Sequence, residues 1–333
     1  MMLKRGVRFL LLLSLLGIIS VIPLLPLPLY VFHVIIILFF NAYLCTAWVI
    51  IGGFAKQVSL GHSTFVGIGA YSVGVLLHLF NLTPIIGGIV GVLMTVGVAF
   101  TLGYPCFRFG VRGPYFTFVT MALAEVMYYV VVSLRGITGG ALGIFIPWGA
   151  ISPLLLLNKK LVGYCIIVVM FFFAVFLARK IQYSKFGYYL TAIREDEDAA
   201  EACGVDILKY KLVALSLSAA LTALGGAFYA IYYSYITPDG VLGLTLSFQM
   251  ATMSLAGGAK FWFGPAVGAL LITPFTETVR SMLGGRFVGV PMLLYGVLLL
   301  IVARVAPDGV SGFISSLLGR GGSAGNTESY ERH

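Results

Sequence analysis

Half of the acidic residues of this chain, six of 12, crowd into one short run: Glu195, Asp196, Glu197, Asp198, Glu201 and Asp206. Such a run reads as a short helix over 194–204. Its acidic residues fill the first turn, where the helix dipole favours negative charge. Its alanines propagate it, and Gly204 supplies the stop. The chemistry open to an acidic, small-faced, exposed helix is docking, with its carboxylates aimed at basic groups on a partner. The plainer alternative is a solvated loop with no partner.

Other reactive side chains stand alone in apolar surroundings. Glu125 lies inside the expected fifth span and Glu277 near the end of the ninth; an ionised carboxylate at mid-membrane costs about 2.5–3.5 kcal/mol on insertion scales. Glu125 reads either as a gating or assembly group or as one end of a structural hydrogen bond. His62 follows Gly61, and neither His33 nor His78 stands at metal-ligand spacing from it. A structural hydrogen bond is the favoured reading of His62, ahead of a transport role. Gln57, Ser59, Ser63, Gln249 and Thr252 sit beside glycine-rich segments. Polar groups at interrupted helices mark permeation routes, although interhelical hydrogen bonding accounts for any one of them. The four cysteines, Cys45, Cys106, Cys165 and Cys203, have no CxxC spacing and read as small packing residues rather than disulfides or metal ligands.

Enzyme constellations are missing. No GxxxxGK[ST] loop occurs, and Gly258-Ala259-Lys260-Phe261 lacks both the Gly-Lys pair and the hydroxyl residue. This chain therefore has no phosphate loop with which to bind ATP. HExxH is absent too, and the single GxSxG match, Gly321–Gly325, falls in the Gly/Ser-rich tail rather than on a strand–helix turn. No cofactor is expected.

The elements that hold these residues must be membrane spans. Hydrophobic residues make up 60% of the chain and charged ones 10%, against about 25% charged in an ordinary soluble domain. No Asp, Glu, Lys or Arg occurs between Phe9 and Ala55 or between Gln57 and Phe107. A spanning helix needs roughly 20 apolar residues, so each stretch holds two. The run Val34–Phe40 lacks the alternation of a barrel strand. The expected fold is all-α and polytopic, with ten segments at 9–27, 31–53, 63–80, 85–105, 115–134, 161–178, 212–235, 246–259, 264–279 and 288–304. The eighth is short enough to be re-entrant. Met1 to Pro23 imitates a signal peptide, but an uncleaved first span is the expectation.

Charge orients the segments. With the N-terminus in the cytoplasm and ten crossings, only Arg135, Lys159, Lys160, Arg280 and Arg286 of the 21 basic residues fall outside, and 16 fall inside. This matches the enrichment of Lys and Arg in cytoplasmic loops. It also accounts for the net charge of +9 without nucleic acid. Both termini are expected in the cytoplasm. Residues 1–318 form one transmembrane domain with a cytoplasmic coupling loop at 179–211, and the Gly/Ser-rich tail 319–333 is expected to be disordered.

Several segments resemble one family, the LivM-type permeases of branched-chain amino-acid ABC importers. Asp198-Ala199-Ala200 followed by Gly204 is similar to the EAA motif of ABC-importer permeases, with Asp198 where Glu is usual and without the later Leu-Pro. Gln57-Val58-Ser59-Leu60-Gly61-His62-Ser63 through Gly69-Ala70-Tyr71 is similar to that family's glycine-rich signature. Arg112-Gly113-Pro114-Tyr115-Phe116, with Thr120, Ala122 and Glu125, resembles a second segment. Thr138-Gly139-Gly140 with Gly143-Ile144 resembles a third, in which Ala141-Leu142 replace the usual Asp. Ser254-Leu255-Ala256-Gly257-Gly258, then Gly264-Pro265 and Gly268-Ala269, resembles a fourth.

The resemblance implies an ABC-importer permease in the bacterial or archaeal plasma (inner) membrane, carrying Leu, Ile or Val. It implies two cytosolic ATP-binding subunits, a LivH-type permease paralogue and a periplasmic substrate-binding protein as partners, beside the lipid bilayer. It also implies that Arg194, Asp198, Ala199, Ala200, Glu201 and Gly204 couple the spans to the ATPase. Two other transport readings stay open. One is a permease for urea, short amides or another amino acid. The other is an ion-coupled secondary transporter, for which Glu125 is the one deep carboxylate. A membrane-embedded enzyme is disfavoured by the missing constellations.

Overall fold

A computed structural model describes residues 28–146 and 159–283, with Gly296, Arg304, Gly309 and Val310 as isolated positions. The expected first span, the tail and, apart from Gly296 and Arg304, the tenth span lie outside the described residues.

The described chain is a helical bundle. In order it contains α1 (Leu29–Gly52), α2 (His62–Phe80), α3 (Pro84–Arg108), α4 (Pro114–Ser133) and the single turn α5 (Arg135–Thr138). A 3-10 turn (Gly140–Leu142) and the two-residue strand β1 (Ile144–Phe145) follow. Then come α6 (Lys159–Gln182), α7 (Lys185–Glu195), α8 (Glu197–Ala202) and α9 (Ile207–Tyr233). Strand β2 (Tyr235–Ile236), α10 (Pro238–Leu242), α11 (Leu244–Gly257) and α12 (Gly264–Leu283) complete it.

The second to ninth expected spans all fall on helices. Seven stretches among the described residues are long and apolar enough to cross a membrane by length and composition. Ten are not confirmed. The expected eighth span, 246–259, is the larger part of a 20-residue stretch, Pro238–Gly257, with a joint at Gly243 between α10 and α11. The sequence reading missed its first turns because Pro238 and Asp239 look like loop residues. Pro238 instead takes the first helical position, and the Thr237 side chain caps the backbone N–H of Gly240. Proline opens α3 and α4 in the same way, at Pro84 and Pro114.

Three helices form the centre. In the spanning windows of α1, α2 and α9, 72%, 67% and 61% of residues are buried, against 28%, 22% and 28% in α3, α4 and α6. The outer helices thus turn apolar faces outward, as lipid or a second membrane protein requires. The centre is tight because it is built on small residues. A Cβ on Gly226 of α9 would run into the Val66 carbonyl of α2, and one on Gly69 of α2 into the Ala223 carbonyl of α9.

The bundle has two distinct ends. α4 runs 20 residues from Pro114 to Ser133, which is about 30 Å at 1.5 Å per residue. Arg112 and the acidic helix α8 therefore lie at one end, and Arg135 with the β1–β2 pair at the other. Ile144 pairs with Ile236 and Phe145 with Tyr235 in that antiparallel ladder.

The Gly226 contact generates a test. Gly226→Ala is expected to cost about 1–3 kcal/mol, as overpacking does, and to lower the thermal midpoint of the detergent-purified protein. Gly97→Ala on α3, which has open space around it, should leave the midpoint in place. Equal midpoints for the two variants would contradict the α2–α9 contact.

Candidate functional site

The acidic run forms two helices, not one. The expected helix 194–204 is broken at Asp196, whose backbone is extended at φ −155° and ψ 117°. The physical reason is capping. The Asp196 carboxylate accepts from the Ala199 N–H at 3.0 Å and so starts α8. Arg194 and Glu195 end α7 instead, with Arg194 Nε 4.0 Å from the Glu195 carboxylate. At the other end, Gly204 takes φ +84°, a region open to glycine at little cost. The Val205 N–H reaches the Ala200 carbonyl at 3.0 Å and the Gly204 N–H the Glu201 carbonyl at 2.8 Å. That bond pair is a Schellman turn, and it satisfies the last carbonyls of α8.

Glu197 anchors this helix to the bundle. Its carboxylate accepts from Gln57 Nε2 at 2.9 Å and from Lys211 Nζ at 2.5 Å. Arg112 Nε lies 2.9 Å from the same carboxylate, and Arg112 Nη1 donates to Asp198 at 2.8 Å. One side chain thus joins α8 to the segment after α1, to the loop before α4 and to the first turns of α9. The Lys211 side chain is 2% exposed and that of Glu197 13% exposed, so their attraction is poorly screened. The Phe107 ring, 5.5 Å from Lys211 Nζ, covers the ammonium. Arg112 lies nearer water, and its hydrogen bond to Asp198, aided by the Glu197 and Glu201 charges, holds the guanidinium above its ordinary pKa.

Ala200 is buried at 4% exposure, whereas Asp198, Ala199, Glu201 and Ala202 are exposed. Ala199 and Ala200 therefore do not present a single face. Consecutive helical residues point about 100° apart, so with Ala200 seated on the bundle, Ala199 must face away.

Below Glu197 the chain runs non-helically from Gln57 to Gly61, buried except for half-exposed Val58. Such backbone is tolerated at membrane depth only when protein satisfies it. Side chains from α1 and α4 do this. Trp48 Nε1 donates to the Ser59 carbonyl at 2.8 Å, Thr117 to the Val58 carbonyl at 2.8 Å, and the Leu60 N–H to Thr120 Oγ1 at 3.1 Å. Where α2 starts, the Ser63 N–H donates to Ser247 Oγ of α11 at 2.8 Å.

His62 closes this network. Its Nδ1 lies 2.9 Å from Ser59 Oγ and its Nε2 2.8 Å from Ser218 Oγ. Ser218 donates its proton to the Ala47 carbonyl at 2.7 Å. A carbonyl can only accept, so the serine proton is committed there. His62 must then donate from Nε2, and as a neutral imidazole it accepts from Ser59 at Nδ1. The favoured structural reading of His62 matches this geometry.

The structure gathers Gln57, Ser59, His62 and Ser63 and ties them to α8 through Gln57. It leaves Glu125, Gln249 and Thr252 apart. Glu125 is half-buried on α4 without a salt bridge among the described residues. Thr252 turns back onto the Phe248 carbonyl at 2.6 Å. Sequence reasoning missed Glu197, Arg112 and Lys211 as site residues. Their oppositely signed charges, flanking apolar runs on three segments, were the available signal.

Comparisons with known proteins identify relatives of this chain. Residues 30–303 match the family described as branched-chain amino acid transport system / permease component. The chain is 26% identical over 289 residues to the Escherichia coli (strain K12) high-affinity branched-chain amino acid transport system permease protein LivM, covering 78% of this chain and 65% of that protein. It is 25% identical over 250 residues to a probable LivM permease of Methanocaldococcus jannaschii, covering 72% of this chain and 68% of the relative. Over 134 residues it is 25% identical to a probable LivH permease of the same archaeon, 39% of this chain and 41% of that one. No solved structure matches the chain.

The clamp can be tested by a double-mutant cycle. Glu197→Gln strands the buried Lys211 ammonium and should destabilise by about 3–5 kcal/mol, as breaking one side of a buried pair does. Adding Lys211→Met should recover much of that loss. Thermal unfolding of the four proteins gives the coupling, and strictly additive effects would disprove the pair.

Proposed function

The chain belongs to the branched-chain amino acid transport permease family, and on that premise we propose that it is the membrane-spanning permease subunit of an ATP-driven, binding-protein-dependent importer of leucine, isoleucine and valine. The observation that carries this reading is the Glu197 clamp, which joins an exposed acidic helix to three separate segments of the bundle.

An ATP-driven transport subunit without a phosphate loop must receive its energy from another polypeptide. The exposed residues Asp198, Ala199, Glu201 and Ala202, closed by the turn at Gly204, offer a compact docking face for two cytosolic ATP-binding subunits. Acidic side chains orient the face, and alanines allow close approach. Arg194, on the neighbouring helix, borders it. Ala200 seats the helix on the bundle.

Movement of α8 is then felt at Gln57, Arg112 and Lys211, which lead into α2, α4 and α9. ATP bound by the partners biases two arrangements of these helices, and cargo crosses by alternating access. A LivH-type paralogue supplies the second half of the permease, covering exposed apolar faces of the outer helices. A periplasmic binding protein delivers cargo at the far end.

Charge supports the orientation. Lys56, Arg108, Arg112, Arg179, Lys180, Lys185, Lys209 and Lys260 cluster at the acidic-helix end, whereas Arg135 and Arg280 stand at the other. The acidic end is thus cytoplasmic in the plasma (inner) membrane.

Two outcomes are expected. Ala199→Trp and Gly204→Val should reduce co-purification with the ATP-binding subunits, or uncouple ATP hydrolysis from leucine uptake, while leaving expression intact. Normal docking and uptake in both variants would reduce α8 to a surface helix. In whole cells carrying Cys165→Ser, the exposed Cys203 should resist an impermeant thiol reagent, whereas Leu142→Cys in a background that also carries Cys203→Ser should react. The reverse pattern would invert the topology.

A further inference from the structure

At the end of the bundle opposite α8, a pocket of about 420 Å³ opens among His78, Arg135, the glycine-rich turn and Phe145. Arg135 has no carboxylate partner among the described residues. His78 lies against the same space. A concave site with an unpaired guanidinium is complementary to a carboxylate.

The pocket sits inside an apolar collar. Leu142 is 80% exposed, Phe145 62%, Ile137 48% and Tyr235 48%. These residues lie in α5, the 3-10 turn and the strand pair, outside the seven apolar helical stretches. The collar is also braced. The Thr138 hydroxyl shares its one proton between the carbonyls of Val131 at 2.6 Å and Leu134 at 2.8 Å. The Ile146 N–H meets the Ser234 carbonyl at 2.9 Å, and the Tyr235 hydroxyl donates to the Leu142 carbonyl at 2.7 Å. Aromatic and aliphatic residues held rigid around one arginine are the composition of a protein-binding hot spot. Bracing lowers the entropy lost on association.

We propose that Arg135 and its collar form the docking socket for an acidic side chain on the surface of the cargo-delivering binding protein. This rests on reading the chain as the permease of a binding-protein-dependent importer, which places the socket on the outer face. The carboxylate enters beside Arg135, and the collar buries the apolar surface around it.

The test uses the complete transporter in nanodiscs with the binding protein of the same system, loaded with leucine. ATPase stimulation is titrated against binding-protein concentration. Arg135→Glu and Leu142→Asp should each raise the half-maximal concentration by about tenfold or more, with basal ATPase and ATPase-subunit co-purification unchanged. Arg135→Gln should slow association and flatten its salt dependence. A binding-protein variant with one surface Asp or Glu changed to Lys should recover stimulation with Arg135→Glu. Unchanged half-maximal concentrations in both variants overturn the socket while the importer reading stands. A change that follows the anionic-lipid content of the nanodisc instead also overturns it, assigning Arg135 to a headgroup. A wild-type complex indifferent to its binding protein would defeat the importer reading itself.

Discussion

One carboxylate, that of Glu197, meets an amide, a guanidinium and an ammonium that arrive from three separate parts of the chain. Removing it would leave Lys211 charged in a nearly closed pocket against Phe107. A buried ionic cluster of this kind is not chosen for stability, since apolar residues of similar volume would serve as well or better. Its value is geometric. It holds α8 against the bundle in one register, so a push on the exposed face is transmitted instead of being lost in a flexible loop.

The non-helical segment 57–61 is the second half of that arrangement. Gln57 touches Glu197 at its upper end, and His62 hands the segment on to α2 at its lower end. Between them, two helices supply side chains to its backbone: Trp48 from α1, Thr117 and Thr120 from α4. His62 extends the set to Ser218 on α9. Polar side chains around this segment are therefore mainly occupied with its backbone and with one another, as hydrogen bonding between membrane helices leads one to expect.

Hydropathy made most of the helices legible, because a bilayer imposes length and apolarity on any element that crosses it. The acidic helix and its glycine stop were legible for a local reason. Dipole preference and the left-handed turn depend on residues within a few positions of each other, and Gly204 adopts that turn. What escaped was non-local. Asp196 looks like one more acidic residue, yet it breaks the run by capping α8. Glu197 is indistinguishable in sequence from Glu195, and only burial beside Lys211 separates them. Ala199 and Ala200 are identical letters with opposite fates, since which side of a six-residue helix faces the bundle is decided by its anchors.

The buried segment after α1 also constrains how the protein is assembled. Its carbonyl at Val58 and its N–H at Leu60 are satisfied by α4, and the N–H of Ser63 by α11, which enters the chain 184 residues later. While synthesis proceeds, α1 and α2 therefore reach the membrane with polar backbone exposed that no residue yet made can satisfy. Those groups must stay in contact with water, or with the insertion machinery, until the later helices arrive. The α1–α2 hairpin is thus not a unit that can settle into lipid by itself. Its final depth is set near the end of biogenesis, when α11 closes over it.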